Sequence, residues 1–350
     1  MDALCTRTIR IVLACAVGGL AAAGAPYAAS AQNSTPSSPL AGKQIRFVTM
    51  GGPGGGYDTY LRTLMPHLEK RTGAKFLPVN ETGAGGLIAM NRIVTAPADG
   101  LTIGLVGGEA MVTAQLYKLS GVNYDVRNLV WIGRISAESK VLMFKKDTPY
   151  KDVKAMVAGE KPVIWGGTGK SDGNSDFSAI LAHATGMKTK IVLGYKGSGG
   201  INLAIESGEA DGRVVSDESA ALFTRSGKFE VVAILDRDKS EKFPAVPTVF
   251  EQVKLSASGE RLLEWRAAIA SLGRLVFTTK GAPAERIEAL RHALKDTLAD
   301  PAVVAEIRSR RLTPGYAGPE QVAKIVEKSM SMLDETALSE VRDVVLKKYF

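Results

Sequence analysis

Cysteine is nearly absent: the 350-residue chain has Cys5 and Cys15 and no others. Everything that follows them lacks a disulfide, a thiolate nucleophile and a cysteine metal site, and must be held by its core. Histidine is almost as scarce, at His67, His183 and His292. No two of them share a zinc-binding spacing, and no Gly-x-Ser-x-Gly turn offers a nucleophile elbow. His67 and His292 lie beside charged residues on helix-like stretches and read as surface groups, whereas His183 reads as half-buried packing. Long apolar runs are missing too. The only extended one, Ile11 to Ala25, is too short and too alanine-rich to anchor the chain in a bilayer.

That run follows Arg7 and Arg10 and precedes Ala29-Ser30-Ala31. A basic start, an apolar stretch and an Ala-x-Ala site predict an export signal cleaved after Ala31, delivering the chain to the periplasm. Gln32 to Gly42, rich in Ser and Pro, is expected to be a flexible spacer. The remaining length suffices for two domains. The net charge of +8 comes from scattered basic residues such as Lys145, Lys151, Arg308 and Arg311. Scatter of this kind describes a solvated surface rather than a nucleic-acid patch, although it can steer small anions inward.

Strand-like and helix-like stretches alternate. Strands are expected at 45–50, 75–79, 102–106, 129–135, 141–144, 163–165, 191–193, 212–215 and 231–235. Helices are expected at 59–70, 87–94 and 177–185, and three more open near Pro283, Pro301 and Pro319. The pattern predicts an α/β fold with largely parallel sheets.

Gly51 to Asp58 reads Gly-Gly-Pro-Gly-Gly-Gly-Tyr-Asp between a strand and a helix, where free N–H groups can receive an anion. The loop fails the dinucleotide template because Thr59 stands at the third glycine position, and Gly83-Ala84-Gly85-Gly86 fails in the same way at Ile88. Gly167-Thr168-Gly169-Lys170-Ser171 imitates a phosphate loop, but Ile164 occupies its first glycine position. What remains is a set of strand-end loops, at 51–58, 83–87, 107–109, 166–175, 195–199 and 216–219. In an open α/β sheet such loops converge at the carboxyl edge, where ligands bind. A rival reading makes Asp58, Glu109 and Asp217 the acid and base of an exported hydrolase or lyase.

The order of these motifs resembles the extracytoplasmic receptors of tripartite tricarboxylate transporters, the Bordetella uptake gene family. It is carried by Gly51–Asp58, by Asn80-Glu81-Thr82-Gly83-Ala84-Gly85-Gly86 and by Ala96-Pro97-Ala98-Asp99-Gly100. Tyr195-Lys196-Gly197-Ser198, Gly208-Glu209-Ala210-Asp211-Gly212, Phe243-Pro244-Ala245-Val246-Pro247-Thr248 and Gly281-Ala282-Pro283 extend it. The resemblance implies a two-lobed periplasmic binding fold, type II-like, with two mixed sheets, flanking helices and a cleft between the lobes, residues 43–141 plus 276–350 in one lobe and 142–275 in the other. It also implies a small carboxylate in the cleft, no cofactor, no catalysis, and a monomer that docks on inner-membrane permease subunits. A ligand sensor feeding a membrane kinase would use the same closure.

On this reading Gly54, Gly55, Gly56, Tyr57, Asp58, Ala84, Gly85, Gly86 and Glu109 face the ligand from lobe one. Gly167, Thr168, Gly169, Ser171, Asn174, Ser175, Tyr195, Lys196, Gly197, Ser198 and Asp217 face it from lobe two, and Tyr57, Trp165, Phe177 and Tyr195 wall the cleft. Glu109 stands where family members often carry a small hydroxyl residue, and residues 252–275 are longer and more helical than usual. An acid at a carboxylate site repels its ligand unless it is paired or turned away.

Overall fold

The computed structural model describes residues 38–169, 172–195 and 197–350. The expected leader, with its cleavage point after Ala31, lies outside the described residues, as do Ser171 and Lys196. The chain first builds β1 (Gln44–Thr49), α1 (Gly56–Thr72), β2 (Lys75–Asn80), α2 (Leu87–Val94), β3 (Thr102–Gly107), α3 (Gly108–Leu116) and β4 (Val130–Ser136). It then crosses to β5 (Lys140–Lys145), α4 (Val153–Ala158), β6 (Val163–Gly166), α5 (Gly173–Thr185), β7 (Thr189–Val192), α6 (Gly197–Ser207), β8 (Gly212–Ser216), α7 (Asp217–Phe223) and β9 (Phe229–Ile234). After α8 (Val249–Gln252) and α9 (Ala257–Ala270) it returns through β10 (Arg274–Thr278). Four helices finish it: α10 (Ala284–Ala299), α11 (Pro301–Ser309), α12 (Pro319–Ser331) and α13 (Glu335–Asp343), with a last π-helical turn at Val344–Lys348.

Local chemistry sets the boundaries. Asp172 accepts from Asn174 N to open α5, and Ser256 accepts from Gly259 N to open α9. Thr248 and Glu251 form a reciprocal capping box on α8. Asp300 caps α11, with Pro301 in its first turn, where a missing N–H costs nothing.

Two five-stranded sheets result, ordered β2-β1-β3-β10-β4 and β7-β6-β8-β5-β9. The α/β layering and the mixed sheets implied by the family resemblance are present, whereas the largely parallel sheets read from the alternation of strands and helices are not. β1 runs parallel to β2 and β3, and β6 to β7 and β8; β10 and β5 run antiparallel to both their neighbours. Each antiparallel strand is the one that enters its sheet directly from the other half of the chain. It therefore escapes the right-handed helical crossover that keeps successive strands parallel.

One apolar cluster reaches both sheets, from Val48, Val106 and Phe277 to Phe144, Trp165 and Phe177. A second joins Ile45, Phe47, Tyr60 and Phe76, and Leu40 is wholly buried in it. Leu40 corrects the expected spacer at its end, because its side chain is buried and Gly42 N donates to Gly73 O at 2.9 Å: burying such a side chain stabilises by about 1.5–3 kcal/mol. The C-terminal elements return to the second sheet. There Glu340 lies 2.9 Å from His183 Nε2 on α5, and Tyr349 accepts from Ile191 N of β7 at 2.9 Å.

The two crossings between sheets, at residues 137–139 and 271–273, lie side by side. Gly108 N donates to Gly273 O at 2.8 Å, and a Cβ on Gly273 would overlap the Ser136 carbonyl. Gly273 also has φ +57°, where any L side chain is strained. Gly273→Ala is expected to lower unfolding stability by about 1–3 kcal/mol or more. Urea denaturation checks this, and an unmoved midpoint would show that the crossing is not tightly packed.

Candidate functional site

A cleft of about 530 Å³ opens at the strand ends of the two sheets. Met50 after β1, Gly107 at the end of β3, Thr168 after β6 and Ser216 at the end of β8 all line it. Glu138 from one crossing, Gly273 from the other and Arg274 at the start of β10 line it as well. This is the carboxyl edge where open sheets bind ligands.

Of the residues expected to face the ligand, Tyr57, Gly85, Glu109, Thr168, Gly169, Asn174 and Ser198 line the cleft. Gly54, Gly55, Gly56, Asp58, Ala84, Gly86, Gly167, Ser175, Tyr195, Gly197 and Asp217 are not among its lining. Several loop amides close their own turns. Gly55 N donates to Gly52 O at 3.0 Å, Gly86 N to Gly83 O at 2.9 Å and Gly197 N to Tyr195 O at 3.1 Å, while Gly167 N is taken by Val192 O at the end of β7 at 2.9 Å. Asp58 is a buried fastener, accepting from Gly54 N at 2.8 Å, Arg62 Nε at 2.9 Å and Asn80 Nδ2 at 3.0 Å. Ser175 is buried beside Asp172, and Tyr195 donates to Glu209 at 2.8 Å. Asp217 accepts from Ser240 Oγ at 2.7 Å and from Glu218 N at 2.7 Å. The trio Asp58, Glu109 and Asp217 is therefore not assembled around the cleft. Trp165 and Phe177, expected as cleft walls, are fully buried in the apolar core instead.

Side chains dominate the chemistry. Arg266 on α9 is wholly buried. It donates to Asp176 Oδ1 on α5 through Nε at 3.1 Å and Nη2 at 2.8 Å, to Glu109 Oε2 on α3 through Nη1 at 3.2 Å, and to the Gly173 carbonyl. Its guanidinium sits 4.8 Å from the Phe177 ring centroid, and Tyr117 donates to Asp176 Oδ2 at 2.8 Å. Lys140 Nζ lies 3.4 Å from Glu109 and 3.5 Å from Glu138. Glu109 is thus paired, as an acid at this position must be. Burial alone would raise its pKa, but Arg266 and Lys140 bring it below the ordinary carboxylate value. At Asp176 burial prevails over Arg266 and pushes the carboxyl up to about 6. The cluster also demands a glycine at 173, because a Cβ there would overlap the Glu109 carboxylate.

Arg274 forms a second paired centre, 2.7 Å from Glu138 and 3.3 Å from Glu218, with its guanidinium over the rings of Tyr57 and Tyr60 at 5.0 and 4.7 Å. Arg213 on β8 is different. It is 3% exposed, and its donors reach only neutral acceptors: Ser198 O, Ser198 Oγ and Asn202 Oδ1, each at 3.3 Å. Its Nε has no partner. Burial lowers its pKa to about 10, with Asp172 offsetting part of the shift.

Sequence reasoning missed Glu138, Lys140, Arg213, Arg266 and Arg274. A signal was present, since Lys140 and Arg213 stand in otherwise apolar strand runs, where a charge must find compensation.

The family model of the tripartite tricarboxylate transporter family receptor matches residues 61–336, and the chain belongs to that family. Protein BugT of Bordetella pertussis is 26% identical over 289 residues, covering 80% of this chain and 83% of its own. Among solved structures, MatC from Rhodopseudomonas palustris, with bound malate, superposes with a TM-score of 0.66 at 20% identity, covering 86% of this chain and 99% of its own. An R. palustris protein solved with adipate gives 0.67 at 19% identity, covering 87% and 97%. The two-lobe periplasmic binding fold is shared.

The raised pKa of Asp176 has a pH consequence. Its unfolded value is near 3.8 and its folded value about 6, so the folded state holds the proton more tightly. The resulting stabilisation is complete below the unfolded value and is lost as pH rises through the folded one. Asp176→Asn removes this titration. The stability difference between wild type and variant should move against wild type from pH 4 to pH 7, as read by urea midpoints. A shift in the opposite sense would mean that the Arg266 ion pair outweighs burial.

Proposed function

We propose that this member of the tripartite tricarboxylate transporter receptor family captures a small organic acid by closing two lobes upon it. It then delivers that acid to a membrane permease rather than transforming it. The observation that carries the reading is the cleft at the strand ends, where Tyr57, Gly85 and Glu109 from the first sheet face Thr168, Asn174 and Ser198 from the second. A ligand touching both sides is best held when they are shut, which couples binding to closure. The adjacent crossings at 137–139 and 271–273 suit a hinge, with residues 43–141 plus 276–334 moving as one lobe and 142–275 as the other, while Glu340 and Tyr349 tie the C-terminal segment to α5 and β7 of the second.

The bound malate and adipate of two fold neighbours support an acid as the ligand. A hydrogen bond to a charged group contributes about 1.5–3 kcal/mol net. A few such bonds, less ordering costs, reach the roughly −8 kcal/mol of micromolar affinity. On this reading the chain is exported to the periplasm by the segment ending near Ala31 and works as a monomer.

Calorimetry with mono-, di- and tricarboxylates is expected to find at least one micromolar ligand, recovered unchanged after incubation. Ser198→Ala and Thr168→Ala should each weaken it about three- to tenfold, at the scale of one hydrogen bond. A folded protein that binds none of these acids, or that converts one, would exclude the proposal.

A further inference from the structure

The charges of the cleft are unequally compensated. Lys140 and Arg274 line it, and each lies within 3.5 Å of carboxylates of this chain. Arg213 also lines it, yet among the described residues no carboxylate comes within ion-pair distance of its guanidinium. A cation this deeply buried is costly unless an anion arrives to meet it.

The donor inventory says how the anion would sit. Guanidinium offers five N–H donors, and Ser198 and Asn202 engage three of them, two on Nη1 and one on Nη2. Nε–H and one N–H on Nη2 remain. These two nitrogens form the side-on fork that receives a carboxylate. The protein uses the same fork elsewhere, where Arg266 grips Asp176 through Nε and Nη2.

We propose that Arg213 is the direct anchor of the ligand carboxylate, holding it side-on from the second sheet while Ser198 and Asn202 fix the guanidinium in place. The inference rests on the receptor reading above and deepens it. The acid is gripped by a charged side chain, and an uncharged isostere of that acid is rejected because it leaves Arg213 buried without a counterion.

The test compares, by calorimetry, malate, adipate and benzoate with their primary amides, on wild type, Arg213→Gln and Arg213→Lys. Wild type should prefer the acid to its amide by about tenfold or more, the scale of one charge-assisted pair. Arg213→Gln should weaken the acid by a similar factor and bring the acid-to-amide ratio close to one. Arg213→Lys, which keeps the charge but loses the fork, should fall between. If Arg213→Gln does not fold, Arg213→Lys decides alone, with weakened acid binding and a reduced ratio expected. Acid binding and ratio unchanged in the folded variants would overturn the anchor while leaving the receptor reading intact. Wild type binding none of the acids would remove both.

Discussion

The guanidinium of Arg266 is the constraint on which the site depends. A buried cation with no counterion costs several kcal/mol, and here two carboxylates from different helices supply the compensation. Satisfying it draws α3, α5 and α9 together at the edge of the cleft. It admits only glycine at position 173, and it turns Glu109 from a repulsive acid into half of a neutral pair. The same demand reaches Tyr117, whose hydroxyl completes the shell around Asp176. Ion pairs of this kind add little net stability against an apolar alternative. Their effect is positional, because every polar atom in the cluster has one satisfying arrangement.

That arrangement puts charged side chains, more than free main-chain amides, along the cleft. The glycine loops shape the strand ends, but several of their amides are consumed in closing their own turns or in holding Asp58. The cleft therefore presents a set of salt-bridged groups, each oriented by a neighbour: Lys140 by Glu109 and Glu138, Arg274 by Glu138 and two tyrosine rings. Side chains held in this way have little rotamer freedom left to lose, and preorganisation of this kind is what lets a few contacts suffice.

Much of the fold was legible because strand signals are local. The β-branched runs at 45–50, 102–106 and 212–215 each became a strand within a residue or two of the expected bounds. The tenth strand, Arg274–Thr278, was missed because it follows a helix directly and opens on an arginine. The largely parallel sheets read from strand alternation failed, where the resemblance implied mixed ones, because direction depends on which strand the chain crosses by, a fact of topology absent from any window of residues. The loops around the cleft were found through their glycines and hydroxyls. The charged lining was not, since Arg213, Arg266 and Arg274 lie far along the chain from the groups they meet and acquire meaning only where folding brings them near Ser198, Asp176 and Glu138. Trp165 and Phe177 show the converse: aromatic rings beside a glycine loop looked available and were spent on the core.

The bond from Ile191 to Tyr349 lies on β7, the outermost strand of the second sheet. An outer strand presents a row of unsatisfied donors and acceptors that another molecule can extend by simple pairing. By laying Tyr349 along that border, the chain withdraws at least one such donor from strangers and is spared one route to indiscriminate self-association.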